Sequence, residues 1–231
     1  MRIISFSAAF FIGSWLWAQG SSVIVYSGIG TYAMNDLKRL SSTYVGTTRL
    51  PLKVTHDFPA RVFFGTTLGW KLSPALGLNI SYEFHSTGGR LHYQDYSGRA
   101  VLDQILKLNQ IGVSLRFMAY RSMKNSFYLS TGVSRNFTSL QLKEELQIGT
   151  IIKNEVEQLS SSAWGLRPAI FFERRMGNLI AQVGFGFDVL LRSDLKVDGN
   201  NLTLQHSPGN DASAQWDGLR ASFGIGFSLG K

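Results

Sequence analysis

The chain has 231 residues, of which 24 are Gly and none is Cys, with 13% aromatic and only 16% charged residues. This length fits a single all-β domain, and the absence of Cys excludes a disulfide-held fold and an N-terminal lipidated cysteine. The formal net charge of +8 comes from basic residues that are spread along the chain. A nucleic-acid-binding patch would concentrate them, so we expect no nucleic-acid partner.

The N-terminal segment has the features of an export signal. Arg2 gives a positive start, an apolar run follows from Ile3 to Trp17, and Ala18 ends a small-residue cleavage pattern. A membrane-spanning helix needs about 20 apolar residues, and this run is shorter and interrupted by Ser and Gly. We therefore expect residues 1–18 to be a signal peptide and residues 19–231 to form the mature domain.

Eight segments of the mature chain alternate apolar and polar residues with a period of two, which predicts β-strands. In chain order they cover residues 23–34, 61–72, 76–85, 107–120, 127–134, 164–173, 179–192 and 218–229. The first of these is less regular, so the alternation does not say which of its residues face inward. The other seven place Phe, Leu, Val and Trp on one face and Gly, Ser and charged residues on the other.

The connections between these segments differ in length at the two ends of the predicted sheet. The short ones cover residues 73–75, 121–125 and 174–178, whereas the long polar ones cover residues 35–58, 86–106, 141–162 and 193–215. Strands in lipid must pair on both edges, so an even number of them favours closure. The sequence thus predicts an eight-stranded antiparallel up-and-down transmembrane β-barrel with short periplasmic turns and long extracellular loops.

Two of the long connections have a predicted local structure. Residues 141–158 carry scattered apolar residues, which fit either a short amphipathic helix or an extension of two strands beyond the membrane. We favour the strand extension, because Ile148, Ile152 and Val156 do not keep one helical stripe through Gly149. Residues 35–40 are predicted to form one helical turn, capped by an acidic or amide side chain.

A soluble barrel with a ligand cavity is the alternative architecture, with the apolar face inside and the polar face in water. The polar face has many Gly and Ser residues and few Lys or Glu, whereas a solvated exterior normally carries more charge. The apolar face is also too bulky for the interior of an eight-stranded barrel. Both observations favour lipid outside.

These segments resemble the outer-membrane β-barrel proteins of Bacteroidetes, a family of small OmpA-like or OmpX-like barrels. The resemblance depends on Gly28-Ile29-Gly30-Thr31-Tyr32 with Met34-Asn35-Asp36-Leu37, on Ser86-Thr87-Gly88-Gly89-Arg90 with Asp95-Tyr96-Ser97-Gly98, and on Trp216-Asp217-Gly218-Leu219-Arg220. It implies location in the cell outer membrane, contact with lipid and lipopolysaccharide, and recognition of the last strand by the barrel-insertion machinery. Phe227 is the aromatic residue for that recognition, although it is displaced from the C-terminus.

The inward polar face is the candidate functional site, and its charged residues are predicted to form a lumen polar network. The set is Arg61, Lys71, Glu83, His85, Arg116, Arg167, Glu173, Asp188, Arg192 and Arg220. Buried charges must pair, so we expect an ion-pair plug that fills a narrow barrel. The alternative is a thin, anion-preferring pore, which the excess of Arg over carboxylates favours.

The sequence predicts no catalytic, metal or cofactor site. An outer-membrane lipid-modifying enzyme would need a nucleophile beside a His and a carboxylate. His85 and Ser86 are adjacent, but on a strand they point to opposite faces. The remaining His residues fall in loops without ligand spacing, and Cys is absent. We therefore expect a monomeric protein with a structural or surface-interaction role and an extracellular partner that the sequence does not identify.

Overall fold

The computed structural model describes residues 20–47, 51–96, 98–148, 151–200, 202–207 and 209–229. Eight long strands form the body, and the remaining elements lie in the connections. The long strands are β1 (Ser21–Gly30), β3 (Arg61–Lys71), β4 (Leu76–Gln94), β5 (Gly98–Arg121), β6 (Asn125–Ile148), β7 (Ile151–Met176), β8 (Leu179–Leu190) and β12 (Gly218–Leu229). The others are α1 (Asn35–Thr47), β2 (Lys53–Asp57), β9 (Lys196–Val197), β10 (Gln205–Ser207) and β11 (Asn210–Asp211).

The eight long strands close into an antiparallel barrel. Each pairs with its neighbour in sequence order, and β1 closes the ring by pairing with β3 on one side and β12 on the other. Val25, for example, lies opposite Thr66 of β3 and Ile225 of β12. The predicted eight-stranded up-and-down barrel is confirmed. In the described part of the chain, no helix has the length and apolar character needed to cross a membrane.

The outside of the barrel is an apolar belt. Large apolar side chains on all eight strands are exposed, among them Val25, Phe64, Ile80, Val113, Val133, Ile170, Phe185 and Phe223. Trp164 and Phe137 lie at the loop end of this belt, and Tyr120 lies at the turn end. Aromatic residues at both borders of an apolar band are typical of transmembrane barrels.

Glycines in the barrel strands leave space for aromatic rings in the narrow interior. Tyr26 points inward from β1, and its partners in the register are Gly65 on β3 and Gly224 on β12. A Cβ added to Gly65 would lie 2.5 Å from the Tyr26 ring, so no larger residue fits there. This close approach fixes the orientation of β1, which alternation alone did not establish.

Four strands extend far beyond the belt and form a structure that we call the wall. It consists of residues 86–94 of β4, 98–108 of β5, 138–148 of β6 and 151–162 of β7. Its 11 residues of β6 correspond to about 35 Å of strand. The predicted strand extension in this region is confirmed, and the helix alternative is wrong. Gly149 lies outside the described residues.

Most of the long connections predicted at residues 86–106 and 141–162 is strand rather than loop, because residues 86–94, 98–106, 141–148 and 151–162 continue the strands. Most apolar side chains of the wall point inward, whereas those of the belt point outward; Ile152 and Val156 of the wall are exceptions and are exposed. On β5, Leu106 and Leu108 are buried inside, and Ile111 is exposed outside. At the border of the belt the apolar residues change from the outer to the inner side of each strand. This change interrupts the period-two pattern in the sequence, so the pattern alone places the strand end there.

The long connections fold back onto the inner side of the wall. α1 has 13 residues rather than the single predicted turn, and Leu37 is fully buried against the wall. The Tyr44 hydroxyl donates to Glu144 Oε1 on β6 at 3.0 Å, and Gln104 Nε2 on β5 donates to Ser41 Oγ at 2.9 Å. The helix is therefore attached to two of the four extended strands.

Candidate functional site

Charged side chains fill the barrel interior in two layers, of which the first lies near the loop end. Arg167 of β7 is at its centre and donates to the carboxylates of Glu83 on β4 and Asp188 on β8. Its Nη2 lies 2.8 Å from Glu83 Oε2, 2.7 Å from Asp188 Oδ2 and 2.6 Å from Gln110 Oε1. Arg220 of β12 adds a second cation, with Nε 3.2 Å from Asp188 Oδ2. One guanidinium thus joins carboxylates from opposite parts of the ring.

His85 belongs to the same layer and is fully buried. Its Nε2 lies 2.9 Å from Glu83 Oε2, and its Nδ1 lies 3.4 Å from the Tyr32 hydroxyl. The imidazole stacks on Phe63 with ring centroids 4.7 Å apart. The hydroxyl of Tyr26 donates to Glu83 Oε1 at 2.7 Å. Both ring nitrogens therefore have partners inside the protein, and the arrangement holds the ring in place.

The second layer lies toward the turn end. Arg116 Nη2 of β5 is 2.7 Å from Glu173 Oε1 of β7, and Gln182 Nε2 donates to the same oxygen at 2.9 Å. The Arg116 guanidinium lies 4.2 Å from the Tyr128 ring centroid and 4.9 Å from that of Phe171. Two aromatic rings and one carboxylate thus fix a buried cation.

Two small chambers accompany these layers. The mid-barrel chamber, of about 70 Å³, is lined by Gly and Ser residues, by aromatic residues such as Phe63 and Phe171, and by Glu83 and Arg167. That volume exceeds the roughly 10–15 Å³ that one water molecule needs. The turn-end chamber, of about 100 Å³, is lined by Lys71, Arg116 and Arg175 among others. Asn79 lines both chambers.

The loop end of the barrel is closed by a hydrophobic cluster that we call the cap. Its members are Tyr32, Met34, Leu37, Phe58, Leu106, Leu108, Leu140, Leu159, Leu195, Ala214 and Trp216. Trp216 is fully buried, and its Nε1 donates to Thr138 Oγ1 on β6 at 2.9 Å. Asp36 accepts from both the amide and the hydroxyl of Ser213, which connects α1 to the last long loop.

The structure places the ten predicted lumen residues in different environments. Glu83, His85, Arg167, Asp188 and Arg220 meet in the first layer, and Arg116 and Glu173 meet in the second. Lys71 lines the turn-end chamber, and Arg61 is exposed where β3 begins. Arg192 is not part of the network, because β8 ends at Leu190. Its side chain is 60% exposed and lies 3.4 Å from Asp194.

Several contributors to these layers were absent from the sequence prediction. Tyr26 and Tyr32 come from β1 and the residues just after it, where the inward side was undetermined. Gln110 and Gln182 lie on the predicted inward faces but carry no charge, so a search for ion pairs passes over them. The inward orientation of Tyr26 could have been inferred from Gly65 and Gly224, which lie opposite it on the neighbouring strands and leave space for its ring.

The geometry around His85 gives no arrangement for nucleophilic catalysis. Ser86 faces away from the interior, opposite Lys107 of β5, while both nitrogens of His85 face Tyr32 and Glu83. Within the described ranges, no three His, Asp or Glu side chains are grouped so that they could hold a metal ion. The first layer is thus a set of mutually paired charges, and the two small chambers lie beside the charged layers.

Comparison with protein-family models gives no match, and comparison with curated proteins gives none. Among solved structures, the chain is similar to Neisserial surface protein A, with 12% identity, a TM-score of 0.47, and coverage of 91% of this chain and 97% of that one. It is similar to Ail, the attachment invasion locus protein of Yersinia pestis, with 10% identity, a TM-score of 0.41 and coverage of 91% and 99%. It is also similar to the outer membrane protease OmpT from Escherichia coli, with 9% identity, a TM-score of 0.41 and coverage of 90% and 96%.

Proposed function

We propose that this chain is an integral outer-membrane β-barrel protein whose closed body holds the wall outside the membrane as a rigid surface for an extracellular partner. The observation that carries the proposal is the exposed apolar belt, which ends where the wall begins. Below that border the apolar side chains face outward, which is unfavourable in water and favourable in lipid. Beyond it most of them face inward, as in a water-soluble sheet packed on a helix, and Ile152 and Val156 are the exposed exceptions.

The outer face of the wall is mainly polar and is held by an ion pair and by strand pairing. Arg90 and Asp103 pair across β4 and β5, with Nε 2.5 Å from Oδ1 and Nη2 2.8 Å from Oδ2. The edges of the wall are partly covered, because β2 pairs with β4 and β9 pairs with β7. A surface that needs little ordering before contact loses less conformational entropy on binding. This supports an interaction role rather than a purely structural one.

The cap and the two charged layers support a closed barrel rather than an anion-preferring pore. Arg167 is paired with two carboxylates, so its charge is compensated rather than offered to passing ions. The cap places buried apolar side chains across the mouth. Purified protein in planar bilayers is expected to give no discrete current steps under applied voltage. Stepwise, anion-selective currents would favour the pore instead.

The outer-membrane location and orientation are tested by single-cysteine labelling, which is unambiguous because the chain has no Cys. Val156 of the wall and Lys124 of a short turn are both exposed. A large maleimide polymer added to intact cells should label V156C and leave K124C unlabelled until the outer membrane is opened. Equal labelling of both variants in intact cells, or of neither, would contradict this orientation.

Two finer proposals follow from the sequence. The segments Gly28–Tyr32, Ser86–Arg90 and Trp216–Arg220 support membership of the Bacteroidetes family of small barrels. Phe227 of β12 is exposed on the lipid side, which supports its recognition by the barrel-insertion machinery. Replacing Phe227 by Ser should lower the amount of heat-modifiable protein in the outer membrane, whereas the same change at Phe223 on that strand should have a smaller effect. Equal losses would oppose a specific signal.

A further inference from the structure

An arginine lies on the lipid-facing side of the barrel, close to the border between belt and wall. Arg135 of β6 points outward, because Val133 and Phe137, two residues away on either side, are exposed outward. In the register it lies opposite Ile111 of β5 and Trp164 of β7, at the loop end of the belt. A charge on the lipid face is unfavourable deep in a bilayer and is tolerated close to the headgroups. Arg135 therefore belongs at the level of the headgroups.

The guanidinium group of Arg135 is held in a fixed direction, toward the wall. Its Nη2 donates to Ser162 Oγ at 2.6 Å, and Ser162 lies two residues nearer the wall than Trp164 on β7. The guanidinium carbon lies 5.2 Å from the centroid of the Trp164 ring, which is a cation–π distance. These two contacts use only part of the five N–H donors of a guanidinium. The other donors are available to an acceptor at the membrane surface.

Small polar side chains and a second cation lie between this arginine and the outer face of the wall. The Tyr82 hydroxyl donates to Asn109 Oδ1 at 2.7 Å, which leaves the amide N–H groups of Asn109 as donors. Two residues nearer the wall on β5, Lys107 is exposed and lies opposite Ser86 of β4 and Ser139 of β6. Serine side chains are short, so they leave a flat polar surface around the lysine. A polar headgroup can lie on this surface without displacing a bulky side chain.

The two cations have no carboxylate partner within the described structure. Every Asp and Glu of the chain belongs to the described ranges, and none of them forms an ion pair with Arg135 or Lys107. Carboxylates on the outer face of the wall have other partners, since Asp103 pairs with Arg90 and Asp198 accepts a hydrogen bond from a serine hydroxyl. Charges at the edge of a low-dielectric region are normally paired, which points to a counterion from the membrane.

We propose that Arg135 and Lys107 bind the phosphorylated sugar headgroup of a glycolipid in the outer leaflet. A guanidinium group matches the oxygens of a phosphate with two parallel hydrogen bonds, and an ammonium group adds a compact charge. Lys107 lies opposite Ser139, four residues from Arg135 on β6, which corresponds to about 14 Å along the strand. The two cations therefore span a headgroup of disaccharide size, while the acyl chains lie against the belt. The site rests on the proposed outer-membrane location, with the wall outside the membrane.

A second basic residue on β6 provides a matched control for the test. Lys143 has the same outward direction as Arg135 but lies within the wall, opposite Asp103. R135Q and K143Q each remove one positive charge from the outer side of β6, and only R135Q removes it at the border. K107Q tests the second cation of the site. A heat-dependent gel shift shows whether each variant is folded before binding is measured.

The experiment is native mass spectrometry of the full chain in a zwitterionic detergent, titrated with bisphosphorylated lipid A. We expect saturable binding of the lipid, about tenfold weaker in R135Q because a charge-assisted hydrogen bond to phosphate is lost. Binding should also weaken in K107Q and stay unchanged in K143Q. Absence of saturable binding, or equal binding by folded R135Q and folded K143Q, would overturn the proposal.

Two further probes test the chemistry of the ligand. Lipid A without its phosphates, and dioleoyl phosphatidylglycerol, should both bind the natural chain more weakly than bisphosphorylated lipid A does. Equally tight binding of the first would contradict phosphate recognition, and equally tight binding of the second would contradict a glycolipid site. The maleimide labelling of V156C and K124C tests the location separately. The expected labelling together with unaltered lipid A binding in R135Q would therefore refute the site and leave the location standing.

Discussion

Leu108 and Ile111 lie on the same strand, β5, but Leu108 points into the barrel and Ile111 points out of it, with exposures of 1% and 49%. The same change occurs on β6, where Phe137 is 46% exposed outside and Leu140 is fully buried inside. Phe137 pairs with Asn109, which lies between the two β5 residues, so the change occurs at one level on adjacent strands. We interpret this level as the border between lipid and water.

A charge placed within the belt should therefore destabilise the protein far more than the same charge placed on the outer face of the wall. Val133 and Gln141 both point outward from β6, on opposite sides of the border. V133R should lower the free energy of unfolding by about 2–4 kcal/mol, the cost of Arg near the middle of a bilayer. Q141R should change it by less than about 0.5 kcal/mol. Urea titration in lipid vesicles measures both, and equal values would contradict the border.

Truncating a side chain of the cap should make the long connections at the loop end of the barrel more accessible to protease. Leu140 is completely buried in the cap, and its neighbour Ser139 is exposed on the other side of β6. L140A removes packing worth about 2–5 kcal/mol, so proteolysis of the long connections under native conditions should become faster. S139A should leave the cleavage rate unchanged. A cleavage rate unaffected by L140A would show that the cap does not hold the connections.

Removing Arg167 should lower the free energy of unfolding, because it leaves the buried Glu83 carboxylate without its guanidinium partner and Asp188 with Arg220 as its remaining cation. Breaking a buried ion pair from one side costs about 3–5 kcal/mol, and we expect a loss of that size for R167M. Arg192 is 60% exposed, so R192M should cost less than about 1 kcal/mol. Adding E83Q to R167M should recover part of the loss, and a further loss instead would argue against charge as the cause.

Attachment of α1 to the wall should depend on pH above the neutral range. Burial raises the pKa of Tyr44 to about 12, and its hydrogen bond to Glu144 acts in the same direction. Because the folded-state pKa lies above the unfolded value of about 10, this contribution is complete below pH 10 and is lost as pH rises toward 12. A difference titration of phenolate absorbance between the natural chain and Y44F should show ionisation near pH 12. Ionisation near pH 10 would contradict the contact.

The barrel itself was predictable from the sequence because each transmembrane strand repeats one simple pattern. Val62, Phe64 and Leu68 on β3 are exposed outside, and Phe63 and Gly69 face inward, as alternation indicates. The wall was predicted in part, as a strand extension over residues 141–158, but its strands on β4 and β5 were not. Its alternation is of opposite phase, so a search for one continuous apolar face ends each strand at the border.

The interior was predictable in composition more than in arrangement. The alternation of apolar and polar residues placed Glu83, Arg167 and Asp188 on inward faces. Which of these charges form ion pairs across the barrel depends on strand register and tilt, which alternation does not determine. The cap depends on contacts between residues far apart in sequence, such as Trp216 with Thr138. No local pattern contains that information, since each partner alone resembles an ordinary loop or strand residue.

The border between belt and wall is tested most directly by nitroxide labels at single cysteines that replace Val133 and Gln141 in a chain that has no other Cys. Both positions face outward on β6, so the measurement compares depth alone. In lipid vesicles, oxygen dissolved in the bilayer should relax the label at position 133, and a water-soluble nickel chelate should relax the label at position 141. A nickel chelate that reaches both labels equally would contradict a lipid-embedded belt.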